Sequence, residues 1–408
     1  MMFLFKDRNI RYLCITVILL SFVNGFIKTS IPIISKMYGY DLSYISLSQT
    51  FFLLSWPIFG IFFGVLFDRY KILSTTRIFI FLFIFLYAVN ILILFFNLDI
   101  TYYIFIYSIF SGIIVVFIES LLLTIPPLIM KNKDLYKFYS LVIFMELGVS
   151  SFISPIIATG FIIDNIFLFF LFIGFLLILS LLTLSIALNK KLSNNEENNA
   201  ISIKYIFSGF SFLYSNKIIF SITTITFFLS LVFGAFMGSL IVFITDANYL
   251  GLSIQKYGIM LSAYALGTMF GCLCLQFFNN FSIRLAIIID IIGTIMILLV
   301  PAFSKSVLVV WIAIFMAGVG LSFWLIAITP LRQSLTPKNL LGRANSAFRV
   351  IGYTGLPLGS FLVSILGTIL SLKSIAILVS SILIIAFIIT VPTIWSLDEL
   401  ASKKVKNN

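Results

Sequence analysis

The chain reads as an all-α polytopic membrane protein, with twelve transmembrane helices in two six-helix bundles. Three observations lead there. The 408 residues are 61% hydrophobic and only 10% charged, whereas soluble domains carry about 25% charge. So few charges cannot clothe a soluble surface, and lipid must solvate most of the chain. The apolar residues also gather into twelve runs, each near the roughly 20 residues that a spanning helix needs. Finally, of 26 Lys and Arg, all but Lys28, Lys36, Lys256, Lys305 and Lys373 fall at the termini or around the even-numbered connections. That is the alternation the positive-inside rule produces, and it places both termini and the central loop in the cytoplasm. The same bias accounts for nearly all of the formal charge of +12, and the clustered basic footprint of a nucleic-acid binder is missing.

The elements follow in order. Tyr12–Ser35 comes after Lys6, Arg8 and Arg11; its apolar run is too long for a signal-peptide core and no cleavage site follows, so it is an uncleaved first span. Ser43–Phe67 starts at Leu42-Ser43, with Ser43 a candidate N-cap, and carries Gly60-x-x-x-Gly64, a close-packing spacing. Arg77–Asn97 is third. Tyr102–Ile129 closes in Thr124-Ile-Pro126-Pro127-Leu128, and the basic loop after it leads into Lys137–Phe161, with Pro155 in mid-helix; Asn165–Leu188 completes six. From Asn189 to Lys217 the chain opens as a polar linker with nothing to pack. It then sets Ile203, Ile206, Phe207, Phe210 and Leu213 at helical spacing, so Ile201–Tyr214 is expected to lie as an amphipathic helix on the membrane surface.

The second half repeats the pattern. Ile218–Thr245 is followed by Ile254–Phe278, which has Leu252-Ser253 before it and Gly267-x-x-x-Gly271 within it. Ile283–Phe303 is ninth. Val307–Thr329 closes in Ile328-Thr329-Pro330-Leu331; a basic loop leads to Ala344–Leu370, with Pro357 in mid-helix, and Ser374–Trp395 is last. Matched glycine pairs, terminal prolines and mid-helix prolines point to an internal duplication. The expected division is a bundle over 1–189, a cytoplasmic linker over 190–217, a second bundle over 218–396 and a cytoplasmic tail over 397–408.

Ionisable groups inside a bilayer are expensive, so each is a functional candidate. Ser21, Asn24, Gly25, Lys28 and Pro32 form one stripe on the first span; Ser108, Ser111, Gly112 and Glu119 share a face of the fourth; Tyr139, Glu146, Ser150 and Ser154 share one on the fifth. Each stripe must avoid lipid, and a common water-filled cavity would receive all three. A lone buried charge would neutralise, so Lys28, Glu119 and Glu146 are expected to pair. They would serve either to couple protons to a substrate or as a static network fixing the helices. Arg349 is expected at the cytoplasmic end of the cavity or snorkelling to the interface; Trp324 and Gln49 are weaker cavity candidates. Trp56 is expected to pack or anchor at membrane depth, and Asp290 to be structural. Cys14, Cys272 and Cys274 all lie in apolar runs and imply no disulfide. His is absent, removing the commonest metal ligand and proton shuttle; no metal or cofactor is expected.

The segment Gly64-Val-Leu-Phe-Asp68-Arg69-Tyr-Lys71 resembles the loop signature of the major facilitator superfamily, Gly-x-x-x-Asp-Arg-x-Gly-Arg, departing from it at Tyr70 and Lys71. With twelve spans, a six-plus-six repeat and a central loop, the resemblance covers essentially the whole chain. It implies a gating role for Gly64, Asp68, Arg69 and Lys71, with Asp68 meeting the N-terminus of the eleventh helix near Gly342–Ala344; a solvated loop acid is the alternative. Thr336-Pro337-Lys-Asn-Leu-Leu-Gly342-Arg343-Ala-Asn345-Ser346 and Gly355-Leu-Pro357-Leu-Gly359 resemble the helix 10–11 region of the drug and siderophore exporters, the enterobactin and macrolide exporters among them. Ser154-Pro155-Ile-Ile-Ala-Thr-Gly160 resembles the antiporter motif of helix 5 with Ser154 in place of Gly, and helix 4 lacks the arginine of many proton-coupled exporters.

The implied function is a secondary active exporter, not an enzyme. It would move a small organic molecule or peptide (a drug, antibiotic, peptide antibiotic or siderophore) by alternating access with proton antiport. The expected setting is a bacterial inner membrane, with a monomer as the unit, protons and the bilayer as partners, and self-immunity as a possible context. An uptake symporter is the rival; a membrane-embedded transferase lacks any assembled catalytic constellation in the short external loops.

Overall fold

The computed structural model describes residues 8–70, 72–96, 102–126, 138, 141–188, 203–275, 282–337 and 340–406, with side chains for all of these except 64, 65, 68, 69, 94, 203–207 and 394–406. The described residues contain 12 helices long and apolar enough to cross a membrane. In chain order the elements are α1 (Arg8–Met37), α2 (Leu42–Leu53), α3 (Ser55–Arg69), α4 (Ile72–Phe95) and α5 (Tyr103–Thr124). A span over Leu141–Asp164 follows, ending in α6 (Ser154–Asp164), then α7 (Ile166–Leu188). After a connecting helix, α8 (Ile203–Ser215), come α9 (Lys217–Thr245), α10 (Lys256–Leu275), α11 (Ile283–Phe303), α12 (Val307–Leu335), α13 (Leu341–Tyr353), α14 (Gly355–Leu366) and α15 (Leu372–Lys406).

Three spans are broken near their prolines. A proline lacks the N–H that bonds four residues back, and its ring presses on that carbonyl. Pro57 therefore separates α2 from α3 at Leu54, and Pro357 separates α13 from α14 at Thr354. In the fifth span the strain ahead of Pro155 is taken up by a π-helical turn over Leu147–Ile153. Pro330 behaves otherwise. The tenth helix was expected to stop there, but α12 runs through it to Leu335. The N-cap of α2 is Asp41 rather than Ser43: its carboxylate accepts the Tyr44 N–H at 3.0 Å. The last helix continues past Trp395 to Lys406.

Glycine sets the closest approaches. On α1, Gly25 lies against the Ser150 carbonyl and Ser154, so the polar stripes of the first and fifth spans form a packing seam there instead of a cavity wall. On α10, Gly267 and Gly271 abut Phe315 and Ser322 of α12. Gly60 of α3, expected to be a packing residue, has open space beside it. The connecting helix α8 is not merely laid on a surface: Gly209 meets the Arg343 backbone, and Arg343 Nη1 donates to Ser208 Oγ at 2.8 Å.

The first six spans meet the last six at the cation-poor face, where the α1–α2 connection lies. Ser46 Oγ donates to the Gly238 carbonyl at 3.0 Å, Ser360 Oγ to the Ser46 carbonyl at 2.7 Å and Ser364 Oγ to the Ser43 carbonyl at 2.8 Å. Gly258 of α10 sits on the Pro155 carbonyl and Thr159 of α6. Where side chains are this small, backbones approach closely and each hydroxyl finds a carbonyl in the second helix. That end is sealed. Elsewhere large apolar side chains such as Phe81, Phe85, Ile385 and Ile389 point outward, as a lipid-facing surface requires.

Candidate functional site

The opposite, cation-rich half holds a cleft. This narrow cleft lies between Trp56 and Gly60 of α3, Val116, Glu119, Ser120 and Leu123 of α5, and Ser346, Arg349, Val350 and Tyr353 of α13. It therefore has walls from both halves of the chain. Glu119 stands on its first-half wall with both carboxylate oxygens engaged. Lys28 Nζ, reaching over from α1, is 2.7 Å from Oε1, and Trp56 Nε1 donates to Oε2 at 2.9 Å. The ammonium is also 5.9 Å from the Trp56 ring centroid, within cation–π range. The Lys28 and Glu119 side chains keep 26% and 27% of their surface exposed, so the pair borders the open space and is not sealed away.

The local sequence explains the assembly. The helix break before Pro57 turns Trp56 into the cleft, and Gly60, one turn on, leaves the wall bare. The same charges that a bilayer penalises become tolerable once ammonium, carboxylate and indole N–H satisfy one another. Glu146 lies just before the π-helical turn, half-buried and within electrostatic reach of Glu119 and Lys28. Lys28–Glu119 is the one ion pair among the described residues whose partners are both placed.

A family model described as Major Facilitator Superfamily matches residues 13–360. The chain belongs to the major facilitator superfamily. It is a multi-pass membrane transporter, not an enzyme, and its substrates are small molecules. Solved structures of similar fold include a point mutant of the nucleoside transporter NupG (12% identity, TM-score 0.71, 93% of this chain and 99% of that one). A bacterial homologue of the iron transporter ferroportin in its inward-facing state follows (14% identity, TM-score 0.70, 94% and 98%). The outward-facing state of a bacterial ferroportin homologue superposes less closely (18% identity, TM-score 0.59, 95% and 99%). No curated protein matches by sequence.

Within this facilitator fold the other candidates are dispersed. Arg349 lines the cleft from the second half. Asn24 and Gln49 are wholly buried, and among the described residues neither the nitrogen nor the oxygen of either amide has a hydrogen-bond partner. Trp324 is 6% exposed, in the main apolar core and away from the cleft lining. Gly64, Asp68 and Arg69 fall on the last turns of α3, where side chains lie outside the described residues, as do Lys71 and Tyr139 altogether. Asp290 is buried on α11 against Gly320. Trp56, Ser120, Ser346 and Tyr353 enter the site without having been singled out for it. A signal for Trp56 was present, since Trp56 and Gly60 are spaced i, i+4 on one helical face.

Proposed function

We propose that this transporter is a secondary active exporter of a small organic molecule, with drugs, antibiotics, peptide antibiotics and siderophores as the substrate range, driven by proton antiport through Glu119. The observation that carries the reading is the Lys28–Glu119–Trp56 cluster on the wall of a cleft in the cation-rich half. By the positive-inside rule the cation-rich face is cytoplasmic, with both termini and the linker on the same side. The hydroxyl-to-carbonyl bonds between the halves at the cation-poor face and the cleft in the other half support an inward-open state. An exporter loads its cargo in this state.

The chemistry is an exchange at one carboxylate. With Glu119 ionised, Lys28 and Trp56 hold it. A proton delivered to Glu119 weakens both contacts and frees the Lys28 ammonium, and rocking of the two six-helix halves carries the change across. The helix 10–11 resemblance to drug and siderophore exporters supports the outward direction. Asp68, Arg69 and Lys71 belong to this proposal as the cytoplasmic latch, and Glu146 as a second acid in reach of the exchange. Everted vesicles with an acidified lumen test it. A labelled substrate that accumulates inside, and stops doing so in Glu119→Gln, is the expected result; substrate leaving the lumen with the proton gradient indicates uptake symport and overturns export.

A further inference from the structure

Among the described residues, the second-half wall of the cleft presents one guanidinium, that of Arg349, and no carboxylate. Arg349 lies on one face of α13 with Ser346 and Tyr353, at i, i+3 and i+7, and all three line the cleft. Arg332 of α12 is within electrostatic reach of Arg349 and Tyr353. Its guanidinium carbon is 3.6 Å from the Phe348 ring centroid, and its Nε is buried without a hydrogen-bond partner among the described residues. The only acid among the described lining residues is Glu119, already held at both oxygens by Lys28 and Trp56. The two like charges repel one another, and Arg332, half-buried, also loses hydration. The Phe348 ring offsets part of this for Arg332. Arg349 is exposed on the cleft wall and has no ion-pair partner among the described residues, so its guanidinium is available to an incoming anion.

We propose that this wall is an anion subsite, and that the transported solute carries a carboxylate or phosphate. Arg349 is its direct partner, since a planar guanidinium matches either group with paired N–H donors. The Ser346 and Tyr353 hydroxyls add hydrogen bonds, and Arg332 reinforces the potential from behind. The remainder of the solute faces Trp56 and the Lys28–Glu119 pair. This inference rests on the cleft being the transport site, and it narrows the substrates to organic anions and zwitterions.

The test reads the charge of the wall directly. Ser346→Cys is introduced into the full chain after Cys14, Cys272 and Cys274 are changed to Ser, and the protein is placed in phosphatidylcholine nanodiscs. Modification rates are measured with an anionic sulfonatoethyl and a cationic trimethylammonioethyl methanethiosulfonate, each normalised to a free thiol. The expected result is a preference for the anionic reagent of about tenfold or more, cut by about tenfold in Arg349→Gln and less in Arg332→Gln, as removal of one nearby charge requires. Arg343→Gln, on the α8 contact, leaves the preference in place. Salicylate slows the anionic reagent at matched ionic strength, and neutral salicylamide does not. A thiol that shows no preference, a preference untouched by Arg349→Gln, equal slowing by salicylamide, or no reaction with either reagent overturns the proposal. Phosphatidylglycerol nanodiscs separate the two sources of the anion: loss of both the preference and the salicylate effect there assigns the subsite to a lipid headgroup and overturns the soluble solute. If vesicle flux runs inward while the charge preference stands, export alone has failed.

Discussion

Glu119→Gln combined with Lys28→Met measures what holds the cleft together. The glutamine keeps the size of Glu119 and an oxygen for the Trp56 N–H, so chiefly the ion pair at 2.7 Å is lost. Exposed ion pairs are worth about 0–1 kcal/mol, whereas breaking a fully buried pair costs about 3–5 kcal/mol. With roughly a quarter of each side chain exposed, the coupling should fall between, at about 2 kcal/mol, in line with a charge-assisted hydrogen bond. The assay is a double-mutant cycle on reversible unfolding in mixed micelles, comparing wild type, both single variants and the double variant. The double variant should be less destabilised than the sum of the singles by about 2 kcal/mol, because Lys28→Met also removes the ammonium that Glu119→Gln strands. A coupling below about 0.5 kcal/mol, the level of a solvated surface pair, would refute the picture of a pair that satisfies itself on the cleft wall.

Other expectations concern the seal and the topology. Ser360→Ala with Ser364→Ala removes two hydroxyl-to-carbonyl bonds between the halves; at about 0.6 kcal/mol each in a membrane, the sealed state should lose roughly sevenfold in relative population, read as broadened spin-label distances across the cation-poor face. Gly258→Val drives a branched side chain onto the Pro155 carbonyl and Thr159, and the same distances should lengthen outright; unchanged distances would show that the seal lies elsewhere. Arg343→Ala removes one bond to Ser208 of α8, which should speed proteolysis of the linker while transport persists. Alkaline phosphatase fused within residues 190–200 should stay inactive and a fluorescent protein there should glow; the reverse would invert the assigned topology.

Much of the fold was legible because the bilayer imposes it. Hydrocarbon thickness sets the length of each run and the cation alternation sets their number, so both could be read without knowing any contact. The helix breaks at Leu54 and Thr354 were not read, since Pro57 and Pro357 leave hydropathy unchanged and act only through backbone geometry. Pro330 shows the converse, a proline whose helix goes on. The polar stripes were legible as faces, yet a stripe does not say which neighbour it meets. Lys28 and Glu119 find one another on the cleft, while Asn24 and Gln49 are packed out of it. The Glu119 bond to Trp56 escaped because tryptophan in a span is expected at interfaces or in packing. For Arg349 the sequence left a place at the cavity end and a snorkelling one equally open, and its nearness to Arg332 depends on how α12 and α13 lie, which no spacing in the sequence encodes.

The most direct test uses cells expressing wild type or Glu119→Gln at equal membrane abundance, challenged with each compound that wild-type expression renders less toxic. Tolerance should return to the empty-vector level in Glu119→Gln for every such compound. Full tolerance in that variant would mean that the carboxylate held by Lys28 and Trp56 takes no part in moving the cargo.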